Sequence, residues 1–572
     1  MGWGWHIVSV VAIGIVAACG TLSPSPSSQS GSSVGAGTVD AGRSLRLMVR
    51  NEVDNLAAKV VGPNAPDRTR RLFNAELAQI DNMGLARPYL AAALPQLGAD
   101  TWTIQADGRM VTTYRVRPGL TWHDGAPLTA EDFVFAWRFY VNPSVAMFTS
   151  KPQDLIEEAL TSDSLTLVIR WTATYPEAGA LVYDLLPPLP RHILEPAVLA
   201  LDEPGGRDAL VNHPFWTVEY VGAGPYRLVR WQAGYEIEGV AFGGHVLGRP
   251  KIERLFVRIM NDENTALTAM LSGDADYAEG FLLQFEHGLV LRREWVPSGR
   301  GNVLVWPDAT SNSAVQFRPE YQKSPPLLDL RVRRAMSHAI DRDAINEGVF
   351  DGQGIISDTF VAPSTPYFAD AQRAVATYPY DPRRTEQLMG EAGLTRDTDG
   401  VFGTRGERFR PDFWITAGTQ SERAGAIVAE TWRRAGVDAQ LFVLSLVAGR
   451  DNEVRATFPG LTQVGLSSRE ETVENFVSSQ IGTAANRWRG NNRGGWLNTD
   501  VDRLYDAFNS TLERKQRDAQ MIEIARLVSE NVPVFTFYPN IRVRAFVAAL
   551  HGPDVGAPNT LPQWNVHEWE FR

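Results

Sequence analysis

Cysteine is all but absent from this chain, with only Cys19 in 572 residues. A disulfide within the chain is therefore excluded, as is any cysteine metal cluster. Histidine is scarce as well: nine residues are scattered without a His-Glu-x-x-His pair, which argues against a zinc hydrolase. No glycine-rich phosphate loop of the Walker kind occurs, and no dinucleotide fingerprint follows a strand. Positive charge is in deficit, 55 Lys and Arg against 66 Asp and Glu, and the net charge of -11 disfavours nucleic acid as a partner. A long apolar run is missing too. Residues 7–18 form a run of about a dozen, short of the roughly 20 of a membrane helix and suited to the core of a secretory signal.

What is present points to a large exported body. With 44% hydrophobic and 21% charged residues, a chain of this length can bury a sizeable core and divide into two or three domains. The apolar run ends Val16-Ala17-Ala18-Cys19, which resembles a bacterial lipobox, where the cysteine is lipidated and becomes the first mature residue. A Ser/Pro/Gly tract over 22–37 follows directly. Such a tract cannot bury enough apolar area to fold, so we expect a flexible tether.

Residues 114–140 organise the rest. Tyr114 and Val116 read as a strand that Pro118 and Gly119 stop, since proline cannot donate to a ladder and glycine tolerates positive φ. Asp124-Gly125 is a turn pair. Thr129 can cap the following helix, with Glu131 and Asp132 at the positive end of its dipole. That helix buries Phe133, Ala136, Trp137 and Tyr140 at i, i+3, i+4, i+7. Nothing here is built for catalysis, and Trp122-His123-Asp124 reads as a packed turn.

The wording of Arg117-Pro118-Gly119, His123-Asp124-Gly125 and Leu128-Thr129-Ala130-Glu131-Asp132 resembles the family 5 extracellular solute-binding proteins of bacterial ABC importers, the group of peptide and nickel binders. Further matches follow in order: Gly222-Ala223-Gly224-Pro225-Tyr226, Gly273-Asp274-Ala275-Asp276, the stretch 330–342 and Tyr378-Pro379-Tyr380-Asp381-Pro382. The resemblance implies an α/β, two-lobed periplasmic-binding-protein-like fold of type II with an extra inserted subdomain. It places a signal peptide at 1–18, a lipidated Cys19 and tether at 19–42, lobe I at 43–69, 211–301 and 540–572, the inserted subdomain at 70–210, and lobe II at 302–539. Crossovers near Asn302 and Tyr538 supply the hinge. Within lobe II, 413–417, 421–435 and 439–444 read as a parallel strand-helix-strand unit. The basic residues of 330–336 are expected on a solvated helix face. The prolines of 186–192 are expected to keep that segment extended.

The function implied is capture of a small polar solute, peptide-like or other, in the interlobe cleft, with delivery to a membrane permease. No catalytic residue, cofactor or metal is expected, and the protein is read as a monomer attached to the membrane through Cys19. In peptide binders of the family a Trp-x-x-Asp pattern sets a carboxylate against the ligand's ammonium group. Here the aligned tryptophan position is Leu466 and the aspartate position is Arg469, which suggests a bidentate contact to an anionic group, with Glu470 or Glu471 for a cationic end. Asn51 and Glu52 follow the first strand; Met147 and Phe148 lie beyond the cassette helix; Glu279 and Phe281 are expected just past another strand. Trp414, Thr416 and Gln420 sit where a strand meets a helix. Trp488 and Trp496 flank a glycine-rich loop. Rival readings are a secreted glycoside hydrolase, for which Asp124 and Glu279 would be the imagined carboxylates, and a receptor or chaperone-like surface lipoprotein on the same fold.

Overall fold

The alternation after the tether forms a strand, β1 (Ser44–Val49), with Leu45 and Leu47 turned to one core and Met48 to another. The computed structural model of the chain describes residues 44–57, 67–145, 152–404, 406–557 and 560–572. The leader, Cys19 and the tether lie outside the described residues, as do Met147 and Phe148.

The inserted subdomain is an antiparallel sheet. Its strands are β2 (Ala91–Ala93), β3 (Trp102–Ile104), β4 (Met110–Val116), β5 (Ile156–Asp163) and β6 (Thr166–Trp171), in the order β2-β4-β6-β5 with β3 against β4. The strand β4 stops where Pro118 and Gly119 follow, Gly119 having a φ of 76°. Thr129 closes a capping box with Asp132 at the start of α1 (Ala130–Val141), which buries Phe133, Ala136 and Tyr140 and leaves Trp137 half-buried. The turn before it is bolted to the returning chain. His123 Nδ1 accepts from the Gly222 N–H at 3.2 Å, and its Nε2 donates to the Gly224 carbonyl at 3.0 Å. Asp124 pairs with His192 Nε2 at 2.7 Å on the subdomain surface. Of the proline-rich segment 186–192, only the part up to Pro190 stays extended. The helix α2 (Arg191–Leu199) takes in His192, because the proline φ of -69° at its N-cap suits the residue before a first turn.

The chain then returns through β7 (Tyr226–Gln232), β8 (Glu236–Ala241), β9 (Arg254–Ile259), α3 (Glu263–Ser272), β10 (Tyr277–Leu283) and α4 (Phe285–Trp295). Gly273 ends α3 at a φ of 83°, the left-handed cap its position predicts. The strand β11 (Gly301–Val315) leads into the second lobe, which holds α5 (Leu330–His338), β12 (Asp412–Thr416), α6 (Thr419–Arg434), β13 (Gln440–Leu444), β14 (Leu461–Leu466) and α7 (Arg514–Asn531), and β15 (Val534–Val547) leads back out of it. One ten-stranded sheet runs through both lobes in the order β13-β12-β14-β11-β15-β10-β1-β9-β8-β7. The unit β12-α6-β13 is parallel, as its pattern implies. Two cores cover the lobe II half, one around Val332, Met336 and Trp432 and one around Phe458, Phe476 and Ile524.

Of the three arginines of α5, Arg331 is exposed as expected, while Arg333 and Arg334 correct the expectation of a solvated face. Arg333 is buried and donates to the carbonyls of Leu327, Leu328 and Asn531 at 2.8 to 3.2 Å, while Arg334 donates to the Glu530 carbonyl. The carbonyls ending α7 have no partner within their own helix, and a guanidinium at that negative dipole end satisfies several at once. Helical spacing alone could not register this, because the Glu530 and Asn531 carbonyls belong to a helix end almost 200 residues away, and those of Leu327 and Leu328 precede the helix.

Two predictions follow from buried groups. Arg333→Ala strands those carbonyls and should cost about 3 kcal/mol in chemical denaturation, whereas exposed Arg383→Ala should stay within about 0.5 kcal/mol. Burial pushes the His123 imidazole down to about 4. The unfolded chain holds a proton on that ring below about 6.5 and the folded chain does not until about 4. Stability should therefore fall as pH drops through this window, by up to about 3 kcal/mol from this residue. A His123→Asn chain should show a flatter pH dependence of its denaturation midpoint; an unchanged slope would contradict the assignment.

Candidate ligand-binding cleft

Two strands carry the chain between the lobes, and each is interrupted by proline at the crossing. In β11, residues 301–307 pair with 541–547 of β15, and 310–314 pair with 534–539. The register shifts between Pro307 and Thr310, and Thr310 lies opposite Pro539. Proline removes a ladder donor, so the sheet is weakest against bending where it passes from lobe to lobe. Asp308 occupies the break. Its carboxylate accepts from Arg542 Nε and from the Ser468 hydroxyl, both at 2.9 Å. Burial by itself would raise the Asp308 carboxyl, but the Arg542 charge and the two hydrogen bonds outweigh it and hold the group below the usual carboxylate range.

The strand directions then define a crevice. In lobe I, β1 is parallel to β9 and β10; in lobe II, β12 is parallel to β13 and β14. The carboxyl ends of such strands are where α/β sheets expose binding loops, and here the two sets of ends meet. Arg450 Nη2, beyond β13, donates to Asn51 Oδ1, beyond β1, at 2.6 Å. The Arg542 guanidinium lies 3.7 Å from the centre of the Phe281 ring; Phe281 and Glu279 sit within β10 and not past it, because the strand runs on to Leu283. Gln420, opening α6, donates to Asn540 Oδ1 of β15 at 2.9 Å. Arg469, beyond β14, lies 5.0 Å over the Tyr183 ring of the inserted subdomain.

Asn51, Phe281, Gln420 and Arg469 therefore come together at contacts between the lobes or at the crossing strands. Glu279 is buried beside them in β10, its Oε2 accepting from the Phe281 N–H at 3.1 Å. Thr416 ends β12 and packs so closely on Gly449 that a Cβ there would come within 2.7 Å of its side chain. Glu470 is engaged inside lobe II by Arg514 at 2.7 Å and Arg517 at 2.8 Å; burial raises its carboxyl against the pull of both arginines. Other candidates belong to the scaffold around them. Glu52 accepts from the Trp231 indole at 2.8 Å and from the Gly234 N–H at 2.9 Å, fastening the turn between β7 and β8. Trp414 packs against a lobe II core, Trp496 is buried in it against Phe476, and Trp488 lies edge-on to Tyr321. Sequence reasoning missed Asp308, Arg450, Arg542, Asn540 and Tyr183. The prolines at 307 and 539 were the one local signal available, since proline inside a strand marks an edge or a break. Among the described residues, no group of three or more His, Cys, Asp or Glu could hold a metal ion, and no helix is long and apolar enough to cross a membrane.

Comparison with known proteins agrees with this geometry. The model of the bacterial extracellular solute-binding proteins, family 5 Middle, matches residues 93–483. The chain is similar to the oligopeptide-binding protein AppA of Bacillus subtilis, 23% identical over 473 residues that cover 81% of each protein. Among solved structures it resembles an oligopeptide binding protein from Thermus thermophilus complexed with a pentapeptide, with a TM-score of 0.77, 20% identity, and coverage of 92% of this chain and 96% of that one. It also resembles NikZ from Campylobacter jejuni in complex with Ni(L-His), with a TM-score of 0.74, 21% identity, and coverage of 92% and 99%. At these identities the structural likeness establishes the two-lobed α/β fold.

Asp308→Asn tests the hinge contact. It removes the charge facing Arg542 without changing size, and should lower stability by about 1 to 3 kcal/mol in urea denaturation. The loss should be largest near neutral pH and shrink as acid protonates the wild-type carboxylate; equal midpoints for the two chains across pH would show that the charge contributes nothing.

Proposed function

The chain belongs to the bacterial extracellular solute-binding proteins of family 5, substrate-binding proteins of ABC transporters and not enzymes, and on that premise we propose that it traps a peptide-like or other small polar solute between its lobes and delivers it to a membrane permease. One observation carries the reading: the carboxyl ends of two parallel strand sets oppose each other across a pair of proline-broken strands. That arrangement suits hinge closure around a bound molecule, with the closed form as the state a permease distinguishes. The mature chain would act as a monomer at the outer face of the cell membrane or in the periplasm, held by lipid on Cys19.

The solute's contacts follow from the side chains that the strand ends bring to the cleft. Arg469 brings a guanidinium, so the reading favours a solute with an anionic group at that end. Glu470 is occupied by Arg514 and Arg517, which disfavours it as the seat of a cationic end. Asn51, Phe281, Thr416 and Gln420 supply neutral amides, a hydroxyl and an aromatic wall. Among relatives, one structure holds a pentapeptide and another Ni(L-His), which spans the chemistry worth screening. The Asp124 and Glu279 pair of a glycoside hydrolase gains no support, since Asp124 pairs with His192 and Glu279 is buried in β10.

Native mass spectrometry of the purified protein should reveal a copurified small molecule. A thermal-shift screen of peptides, amino acids and metal chelates should raise the melting temperature for members of one class, a ligand at 100 times its Kd adding about 2.7 kcal/mol. Arg469→Ala should weaken calorimetric affinity for the selected solute by at least tenfold. No shift with any class would overturn the reading, and an unchanged affinity would remove Arg469 from it.

A further inference from the structure

The stretch 175–186 of the inserted subdomain meets lobe II, and it is braced from behind on three sides. Tyr175 packs on Trp171 with ring centres 5.3 Å apart. The Tyr114 hydroxyl donates to the Ala178 carbonyl at 2.7 Å and accepts from the Leu181 N–H at 3.2 Å. Gly179 lies so close to Trp102 that a Cβ there would come within 2.3 Å of the indole ring. The stretch presents two side chains to lobe II. Glu177 Oε1 meets Arg517 Nη2 at 2.8 Å. Tyr183, a non-glycine residue at a φ of 53°, lies under the Arg469 guanidinium. Left-handed backbone at a bulky residue persists only where the surroundings demand it.

The receiving side is prepared as well. Arg517 stands in the first turn of α7 with its side chain only 9% exposed, 4.2 Å over the Phe508 ring and bonded to Glu470 at 2.8 Å. Arg514 pairs with Glu470 and with Asp518, each at 2.7 Å. Lobe II thus sets two arginines against two acids, and Glu177 is a fifth charge brought from the other half of the molecule. Two more contacts share this polarity: Arg450 with Asn51, and Arg423 of α6 with Glu286 of α4 at 2.7 Å. In each of these four contacts lobe II contributes the arginine.

We infer that Glu177 and Arg517 form an electrostatic latch, with the inserted subdomain as the jaw that holds the two halves of the cleft shut. The inference rests on the reading of the cleft as a closing trap and adds the pair that sets how long it stays closed. The pair positions the lobes and does not touch the solute. A carboxylate on a prefolded turn loses little freedom when it docks, and exclusion of water around Arg517 strengthens the attraction. Because the latch must break before the lobes part, it governs release of solute more than capture. Salt weakens it, since Glu177 remains partly exposed.

Single-molecule energy transfer tests this without any solute. Dyes go on cysteines introduced by Leu199→Cys in the subdomain and Val447→Cys in lobe II, both highly exposed positions, in a chain carrying Cys19→Ser. The unsubstituted latch should give a closed-to-open ratio that falls as salt is raised from about 20 mM to about 500 mM. Glu177→Gln should lower the low-salt ratio about threefold, the scale of a single partly exposed ion pair, and show a shallower salt response. Glu177→Asp should recover part of the loss, and melting temperatures should agree among all three chains. A Glu177→Gln chain with the same ratio and salt response as the parent overturns the latch, as does a parent chain with no closed population. Both results stand whatever solute the cleft takes, so failure here is distinct from failure of the transport reading.

Discussion

Everything in this molecule hangs on two strands shared by its halves. Residues 301–315 and 534–547 lie side by side in the middle of one sheet, so the lobes are parts of a continuous hydrogen-bonded surface. Such a surface would be stiff if the ladder were unbroken. Pro307 and Pro539 interrupt it at the crossing, and Asp308, displaced into the gap, is tied to Arg542 and Ser468. Backbone pairing is exchanged there for side-chain contacts, which can re-form at more than one angle, whereas ladder bonds cannot. Both parallel strand sets end toward this break, which is why the candidate cleft is placed there.

Charge distribution follows the same division. Acidic groups are in excess over the chain, yet the lobe II side of the interlobe contacts is lined with arginine: Arg423, Arg450, Arg469 and Arg517. Arginine suits this role, since its planar group can meet a carboxylate, an amide oxygen or an aromatic face without changing charge state. The same residue type also closes the interior, where Arg333 gathers carbonyls from two segments.

Much of the architecture was legible in local pattern. The cassette 114–140 formed as its turn chemistry implies: Gly119 adopts positive φ, Thr129 caps with Asp132, and the apolar face of the helix is buried. The parallel unit around 412–444 and the left-handed Gly273 were equally plain, because each is decided by residues within one or two turns of one another. The site was less legible. Phe281, Gln420 and Arg469 could be nominated from their places at strand ends. Glu52 and Trp496 look just as suitable in sequence, but they fasten a hairpin turn and fill a core. The basic residues of 330–338 misled at Arg333 and Arg334 for the same reason, since spacing says which residues share a face and not what that face will meet.

Sequence by itself determined the family, the α/β class, and the stops and caps of individual elements, all of which depend on steric and hydrogen-bonding preferences over a few residues. Only the tertiary structure decided that Asp308 and Arg542 occupy the crossing, that Glu470 is spent within lobe II, and that Glu177 reaches Arg517 from a separate subdomain. Those pairs lie 234, 44 to 47 and 340 residues apart along the chain. No local preference encodes them: a charged side chain is compatible with any partner of opposite sign, and the packing of whole lobes selects the one it meets.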